Sequence, residues 1–301
     1  MFEHIETLTL RAIFSAKGTG PLPPYLGSTL RGLLGHCIRD FVCSYPTVKC
    51  HQCHISHDCA YAQNFASPGN EAGAVNPFVI HSLTRDKVQW NPADECQFEI
   101  TLIGEASRHV GLFVDALKEM ERKGWGSARI PFQLEQIVDP LSQTLIWNSG
   151  KVWMRNCKPR PLVCDQRRAN SVVIRFDSPV RILVSRNLQR RIGFVDLIQS
   201  LSRRITLLSH AYTDQRLDWD EESMLGAASQ VQTTAESWRA IDFERYSMTR
   251  GGKLALPAIT GWARYEGDLT PFTPLLEAGE KLHVGKNATI GFGHYRVSYD
   301  Y

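Results

Sequence analysis

The chain has 301 residues, of which 43% are hydrophobic and 22% charged, and its formal net charge is +3 at pH 7. This length suffices for two domains that each bury a core, and the composition is ordinary for a soluble globular protein. No apolar run approaches the length of a membrane span, and the first residues do not begin a signal peptide. We therefore expect a cytoplasmic protein that does not contact a membrane.

The charge is distributed unevenly along the chain. Between Lys151 and Arg216 there are 14 lysines and arginines against 4 aspartates and glutamates, whereas the rest of the chain holds 20 basic and 27 acidic residues. A basic block of this kind is typical of proteins that bind a polyanion. The alternative is that these side chains form an ordinary solvated surface.

The first half of the chain has the pattern of strand, helix, two strands, helix and strand. Alternating apolar residues predict strands, and apolar residues three and four apart predict helices. The predicted strands are residues 5–15, 78–80, 98–102 and 128–138. One predicted helix starts near residue 27, with Ser28 or Thr29 as its cap. The other spans residues 109–123 and ends at Gly124. Residues 69–77 are predicted as a loop, and a hairpin is predicted around residues 148–150. This element order is ferredoxin-like.

The second half repeats this order more loosely after a linker candidate at residues 157–161. Residues 172–176 alternate as a strand, and Phe194–Leu208 form the cleanest amphipathic helix of the chain. Further strands are predicted at 229–235, 238–246 and 258–265, followed by a short helix after Pro271 that Gly279 closes. We therefore predict an α+β fold with two tandem ferredoxin-like domains, residues 1–156 and 157–301.

Four cysteines lie within seventeen residues after the first predicted helix: Cys43, Cys50, Cys53 and Cys59. A Cys-x-x-Cys pair with two further thiols fills the tetrahedral coordination sphere of one zinc ion, and a filled sphere indicates a structural site. Such a metal would also fold a polar loop that has little core of its own. His51, His54 or His57 could replace one thiol. Another metal, or four reduced thiols without a metal, are the alternatives.

The last predicted strand, residues 295–299, follows a glycine-rich stretch. Gly285, Gly291 and Gly293 lie among Lys286, His283, His294 and Arg296. Glycines allow positive φ and close approach to a ligand, and the cations suit a phosphate-bearing partner. A phosphate loop or dinucleotide-binding turn is excluded because no helix can follow in the remaining residues. A tight hairpin whose glycines serve turn geometry alone is the alternative.

Four stretches together resemble the CRISPR repeat-processing endoribonucleases of the RAMP superfamily. They are Leu30-Arg31-Gly32, the cysteine cluster at 43–59, Pro257–Glu266 and His283–Tyr295. The resemblance is most specific over roughly the last fifty residues and at the first helix. It implies two tandem ferredoxin-like (RRM-like) domains that bind the repeat hairpin of precursor CRISPR RNA. It also implies cleavage at the hairpin base without a catalytic metal, and assembly with other CRISPR effector subunits.

The resemblance also indicates site residues. The family places its catalytic histidine in or just after the first helix, sometimes with a tyrosine before it, which here matches His36 and Tyr25. His51, His54 and His57 are the next candidates, then His283, His294 and Lys286. The expected RNA-binding residues are Arg31, Arg186, Arg190, Arg191, Arg203, Arg204, Gly285, Lys286, Gly291, Gly293, His294 and Arg296.

The expected reaction uses the RNA's own 2′-hydroxyl as the nucleophile and gives a 2′,3′-cyclic phosphate. A histidine near neutral pKa suits the proton transfers. Because this route needs no metal, it agrees with a zinc site that is purely structural. The rival interpretation is a non-catalytic RNA-binding RAMP subunit of a CRISPR effector complex. A zinc-containing DNA-binding regulator is disfavoured, because the sequence has neither a helix-turn-helix pattern nor a Cys-Cys-His-His finger.

Overall fold

A computed structural model of the chain describes residues 1–66, 75–217, 219–247 and 252–300, so most of the predicted loop at 69–77 lies outside the described residues. The chain divides into two compact units, Ile5–Arg160 and Met1–His4 with Pro161–Tyr301. The first residues pack with the second unit, because the buried Phe2 ring lies 5.8 Å from that of Trp219. Among the described residues, no helix is long and apolar enough to cross a membrane.

The elements of the first unit occur in the predicted order. They are β1 (Glu6–Ala16), α1 (Gly27–Val42), α2 (Ala60–Phe65), β2 (Phe78–Ser82), β3 (Glu95–Ile103), α3 (Val110–Lys123), β4 (Phe132–Asp139) and β5 (Thr144–Asn148). Two-residue strands lie at Gly20–Pro21, Gln89–Trp90, Lys151–Val152 and Arg160–Pro161. The side chains of strand β1 alternate between buried and more exposed positions, and the buried ones include Leu8, Leu10, Ala12 and Phe14.

The main sheet of the first unit has the ferredoxin-like strand order β2-β3-β1-β4, extended by β5. Strand β1 pairs antiparallel with both neighbours, so Phe14 lies opposite Cys96 on one side and Leu134 on the other. Helices α1 and α3 cover the sheet. The core beneath them includes Trp125, whose ring stacks on Phe132 with centroids 4.2 Å apart.

The elements of the second unit are β6 (Ser171–Phe176), α4 (Phe194–Tyr212), α5 (Glu221–Ala228), β7 (Gln232–Ile241), β8 (Glu244–Ser247), β9 (Gly252–Ala255), β10 (Ala258–Glu266), α6 (Thr273–Leu282) and β11 (Tyr295–Asp300). A small hairpin pairs Leu183–Val184 with Asn187–Leu188. The sheet order is β7-β10-β6-β11, the same ferredoxin-like arrangement. The predicted fold of two ferredoxin-like units is thereby confirmed.

Three details of the prediction were wrong. Residues 229–246 were predicted as two strands, but β7 is one strand from Gln232 to Ile241 with a single register shift. Helix α1 begins at Gly27 without a side-chain cap. Gly279 does not end α6 but lies inside it, and a glycine is required there because a Cβ would collide with Leu201 and Tyr295. The predicted domain boundary after residue 156 lies four residues before the division after Arg160.

Candidate nucleic-acid interface

The glycine-rich stretch forms a compact loop between α6 and β11. Gly285, Gly291 and Gly293 have φ values of 76°, 88° and 77°, which L-residues rarely adopt. A Cβ on Gly285 would collide with the carbonyl oxygen of Arg181, and one on Gly293 with that of Val284. These glycines are therefore required by the loop geometry itself.

Backbone hydrogen bonds fix this loop against the segment that follows β6. The amide of Lys286 donates to the carbonyl of Arg181 at 2.8 Å, and the amide of Gly293 donates to that of Pro179 at 2.8 Å. The Arg181 guanidinium also donates through Nη1 to Oδ1 of Asn287 at 3.0 Å. The loop therefore holds one cation, Lys286, beside a second, Arg181.

Four cations gather at this loop: Arg181, Arg203, Arg204 and Lys286. Burial lowers the pKa of Lys286, and the charges of Arg203 and Arg204 lower that pKa further. Burial also lowers the pKa of Arg181. Cations that lower the pKa of a neighbouring lysine indicate a site of positive potential, which a bound anion would offset.

Arg204 differs from the other predicted RNA-binding arginines because its side chain is buried. It is 7% exposed, its Nε donates to the carbonyl of Leu282 at 2.8 Å, and Nη2 has no hydrogen-bond partner among the described residues. Burial lowers the pKa of Arg204 to about 10. Arg204 was predicted to bind RNA, and that stays a prediction: its side chain is buried, and its charge acts on Lys286.

The remaining predicted arginines of this unit are exposed. Arg186, Arg190 and Arg203 lie at the surface, and Arg191 forms an ion pair with Glu236. Arg296 on β11 donates through Nε to Oδ2 of Asp177 at 3.0 Å while its side chain stays 69% exposed. These side chains are accessible to a ligand in solution.

Two histidines lie near the ends of the glycine-rich loop. His283 is buried, and its Nδ1 lies 3.0 Å from the carbonyl oxygen of Phe292. His294 Nδ1 lies 3.4 Å from Oδ2 of Asp177, and the two imidazole rings are 5.1 Å apart. Because a carboxylate beside an imidazole orients the ring, His294 is the better placed of the two for proton transfer.

In the first unit, His36 lies on the solvent side of α1. Its neighbours Leu34 and Ile38 are buried on the opposite face, and the His36 side chain is exposed. Arg31, one turn earlier, places its guanidinium 5.5 Å from the ring centroid of Phe65 and donates to the Phe65 carbonyl at 3.3 Å. The exposed face of α1 therefore presents an imidazole that a substrate can reach.

Tyr25 precedes α1 and belongs to a polar network that the sequence did not predict. Burial raises the pKa of Tyr25 well above its usual value, and the charge of Arg85 only partly offsets this, so the phenol stays protonated. Arg85 Nη2 lies 3.1 Å from His81 Nε2, and His81 Nδ1 lies 3.9 Å from Oε2 of Glu99. Burial would raise the pKa of Glu99, but His81 and Arg11 hold it below its usual value. The available signal was a histidine inside an otherwise buried apolar strand.

The cysteine segment 43–59 leads from α1 towards α2. Its four cysteines are half-buried and form no disulfide, and the amide of Cys53 donates to the carbonyl of Cys50 at 3.1 Å. Burial raises the pKa of Cys50, Arg39 counteracts this, and Cys59, Cys43 and Cys53 raise it further. Among the residues that the structure describes, no three of these sulfurs lie within 4.8 Å of one another. The predicted zinc site stays a prediction.

Two family models match the chain. The AF_1859_N model, an N-terminal domain, matches residues 5–161, and the model of the CRISPR-associated endoribonuclease Cas6 matches residues 174–295. An uncharacterized protein of Archaeoglobus fulgidus is 24% identical over 284 residues, which cover 92% of both chains.

Solved structures share the fold at low sequence identity. A Cas6 product complex is 13% identical with a TM-score of 0.61, covering 97% of this chain and 100% of that chain. Thermus thermophilus Cas6 is 13% identical with a TM-score of 0.57, covering 98% and 99%. A partial Cas6-RT-Cas1–Cas2 complex is 10% identical with a TM-score of 0.62 and covers 98% of this chain, which spans only 46% of that longer chain.

Proposed function

This chain belongs to the Cas6 family of CRISPR-associated endoribonucleases, the enzymes that process CRISPR precursor RNA, and we propose that it cuts the base of the repeat hairpin by attack of the RNA's own 2′-hydroxyl. No metal takes part in this reaction, and its products are a 2′,3′-cyclic phosphate and a 5′-hydroxyl. The observation that carries the proposal is the group of cations at the glycine-rich loop.

The cation group supports RNA binding through the phosphate backbone. The charges of Arg203 and Arg204 act on Lys286, and Arg181 donates a hydrogen bond to Asn287 of the same loop. A phosphodiester would offset this unfavourable gathering of like charges. Each direct phosphate contact that is removed should reduce the dependence of log affinity on log salt by roughly 0.7 to 0.9. We therefore propose that Arg203→Ala lowers this slope by about that amount.

The reaction needs a base for the 2′-hydroxyl, an acid for the leaving 5′-oxygen and stabilisation of the charged phosphorane. We propose that His36 performs proton transfer, since its imidazole is exposed on α1. Tyr25 cannot serve as a base because burial keeps its phenol protonated. A protonated phenol suits the role of hydrogen-bond donor to the non-bridging phosphate oxygens. His294, with its Asp177 partner, is the second candidate for proton transfer.

The partners follow from the same proposal. We propose that the chain binds the repeat RNA hairpin and stays bound to the guide RNA after cleavage. Other CRISPR proteins would then bind the guide RNA together with this chain. The Cas6 structures with RNA and within a Cas6-RT-Cas1–Cas2 complex are consistent with both kinds of partner.

The test is cleavage of a labelled repeat hairpin in excess EDTA. The wild type should cut, and His36→Ala should be slower by roughly 10²- to 10⁴-fold, the usual contribution of general acid–base catalysis, while its RNA affinity stays the same. His210→Ala is the matched control, since His210 is another exposed helical histidine without a proposed role.

Each outcome decides between alternatives. Cleavage only after addition of a divalent metal would refute the metal-free mechanism. Loss of cleavage in His294→Ala with full activity in His36→Ala would move the proton transfer to His294. Tight binding without any cleavage would favour the non-catalytic RAMP subunit.

A further inference from the structure

The segment 43–59 has a defined backbone without a hydrophobic core of its own. None of its residues is buried. Its backbone hydrogen bonds are short-range turns, such as Val48 N to Tyr45 O and Ser56 N to Cys53 O. Ordering a chain costs conformational entropy that apolar burial normally offsets. Something other than apolar burial must therefore hold this segment.

Polar side chains of the flanking helices hold the segment at two points. Arg39 of α1 donates through Nη2 to the carbonyl of Pro46 at 2.6 Å, and Gln63 of α2 donates through Nε2 to that of His57 at 2.6 Å. Both donors are exposed contacts, which contribute little to stability in water. Two such bonds do not replace a core for seventeen residues.

The cysteines are the residues that this segment brings together. Cys50 and Cys53 share one tight turn, in which the Cys53 amide donates to the Cys50 carbonyl, and Cys43, Cys53 and Cys59 lie near enough to raise the pKa of Cys50. Arg39 of α1 contacts Cys43. A turn that holds two cysteines, with two further thiols near it, is the donor set that zinc prefers.

We propose that Cys43, Cys50, Cys53 and Cys59 bind one zinc ion, which replaces a hydrophobic core for the segment 43–59. Binding replaces the thiol protons by the metal. Sulfurs at about 2.3 Å from a zinc ion lie about 3.8 Å apart in a tetrahedron, so the sulfurs must move closer together when the ion binds. The filled coordination sphere gives the ion no role in RNA cleavage.

The zinc would fix how the chain passes from α1 to α2. Tyr61 and Phe65 of α2 stack with ring centroids 5.4 Å apart, and the Phe65 ring lies directly over Gly35 of α1. His36 follows Gly35, so the packing of α2 on α1 adjoins the proposed catalytic histidine. The zinc is therefore a positioning element for this end of α1.

The first experiment measures metal content. Elemental analysis of the wild type purified under reducing conditions should give about one zinc per chain, and Cys50→Ser/Cys53→Ser should give about none. Cys157→Ser is the matched control, because Cys157 is a half-buried free thiol outside the segment, and it should keep the zinc. Cobalt replacement in the wild type should give the intense visible absorption of a tetrahedral thiolate site, a readout that does not depend on any variant folding.

The second experiment measures order in the segment. Chelation should accelerate tryptic cleavage after Lys49 at least about tenfold, while cleavage after Lys151 in the exposed hairpin stays constant, and added zinc should reverse the change. Substoichiometric metal in the wild type, equal zinc in the double variant, or a Cys50–Cys53 disulfide detected by mass would overturn the site. Unchanged cleavage after Lys49 would overturn the structural role. RNA cleavage by the metal-free protein tests the proposed reaction separately.

Discussion

Substitution of Arg204 tests its contribution to RNA binding separately from its contribution to protein stability. Its guanidinium is 7% exposed and bonds the Leu282 carbonyl through Nε. Burial lowers its pKa to about 10, and a displacement of that size corresponds to roughly 3 kcal/mol by which folding disfavours the charge. Because the folded-state pKa is the lower one, this cost is present in full below about pH 10 and declines as the pH rises further.

We expect Arg204→Met to leave the free energy of unfolding nearly unchanged. Removing the charge recovers roughly 3 kcal/mol, whereas losing a hydrogen bond from a charged donor costs about 1.5–3 kcal/mol. The free energy of unfolding should therefore increase by between about 0 and 1.5 kcal/mol. RNA affinity should nevertheless fall about tenfold, or roughly 1.4 kcal/mol, because the buried charge contributes to the positive potential at Lys286.

The assays are urea unfolding and anisotropy of a labelled repeat RNA at one fixed salt concentration. Arg160→Met is the matched comparison, because Arg160 pairs at 2.6 Å with Asp139, whose side chain is fully buried. Leaving that carboxylate unpaired should cost about 3–5 kcal/mol. The reasoning is refuted if Arg204→Met loses as much stability as Arg160→Met, or if its RNA affinity equals that of the wild type.

Three further changes test other parts of the structure. Gly279→Ala should destabilise the second unit by about 1–3 kcal/mol through overpacking against Leu201 and Tyr295, and a thermal midpoint equal to wild type would contradict this. Tyr25→Phe should slow cleavage by a factor that stays constant from about pH 6 to 9, because the phenol remains protonated throughout; a factor that changes with pH would show that Tyr25 titrates. Burial opposes ionisation of Asp139, but Arg160 holds the pKa of Asp139 below its usual value. The stability that the ionised carboxylate contributes is therefore present above about pH 4 and is lost as the pH falls through the folded-state pKa. Asp139→Asn should remove this loss at acid pH from the urea unfolding midpoints.

The parts of the fold that the sequence predicted are those with strong periodicity. Helix α4 was predicted because Leu197, Leu201 and Ile205 all face the core. Strand β7 was divided wrongly because it is an edge strand without one buried side chain, so no alternation marks it. Gly279 was misread because a glycine that ends a helix and one that admits close packing look alike in sequence.

The candidate site was less predictable because it depends on tertiary contacts. The glycine-rich loop and Lys286 follow from local sequence. The burial of Arg204 depends on how α4 packs on α6, and Arg203 beside it is exposed. The network of His81, Arg85 and Glu99 joins two strands and the loop between them, and adjacency in space does not appear in a local pattern.

The pairing of β6 with β11 has a consequence for folding. The register joins Ser171 with Asp300, and Phe176 with Tyr295 beside the glycine-rich loop. Joining residues so far apart in the chain is slow, because the entropy lost on closing the intervening segment precedes the contacts that compensate it. Partly folded molecules therefore lack an assembled anion site. An RNA ligand would bind completed molecules selectively and shift the population towards them by mass action.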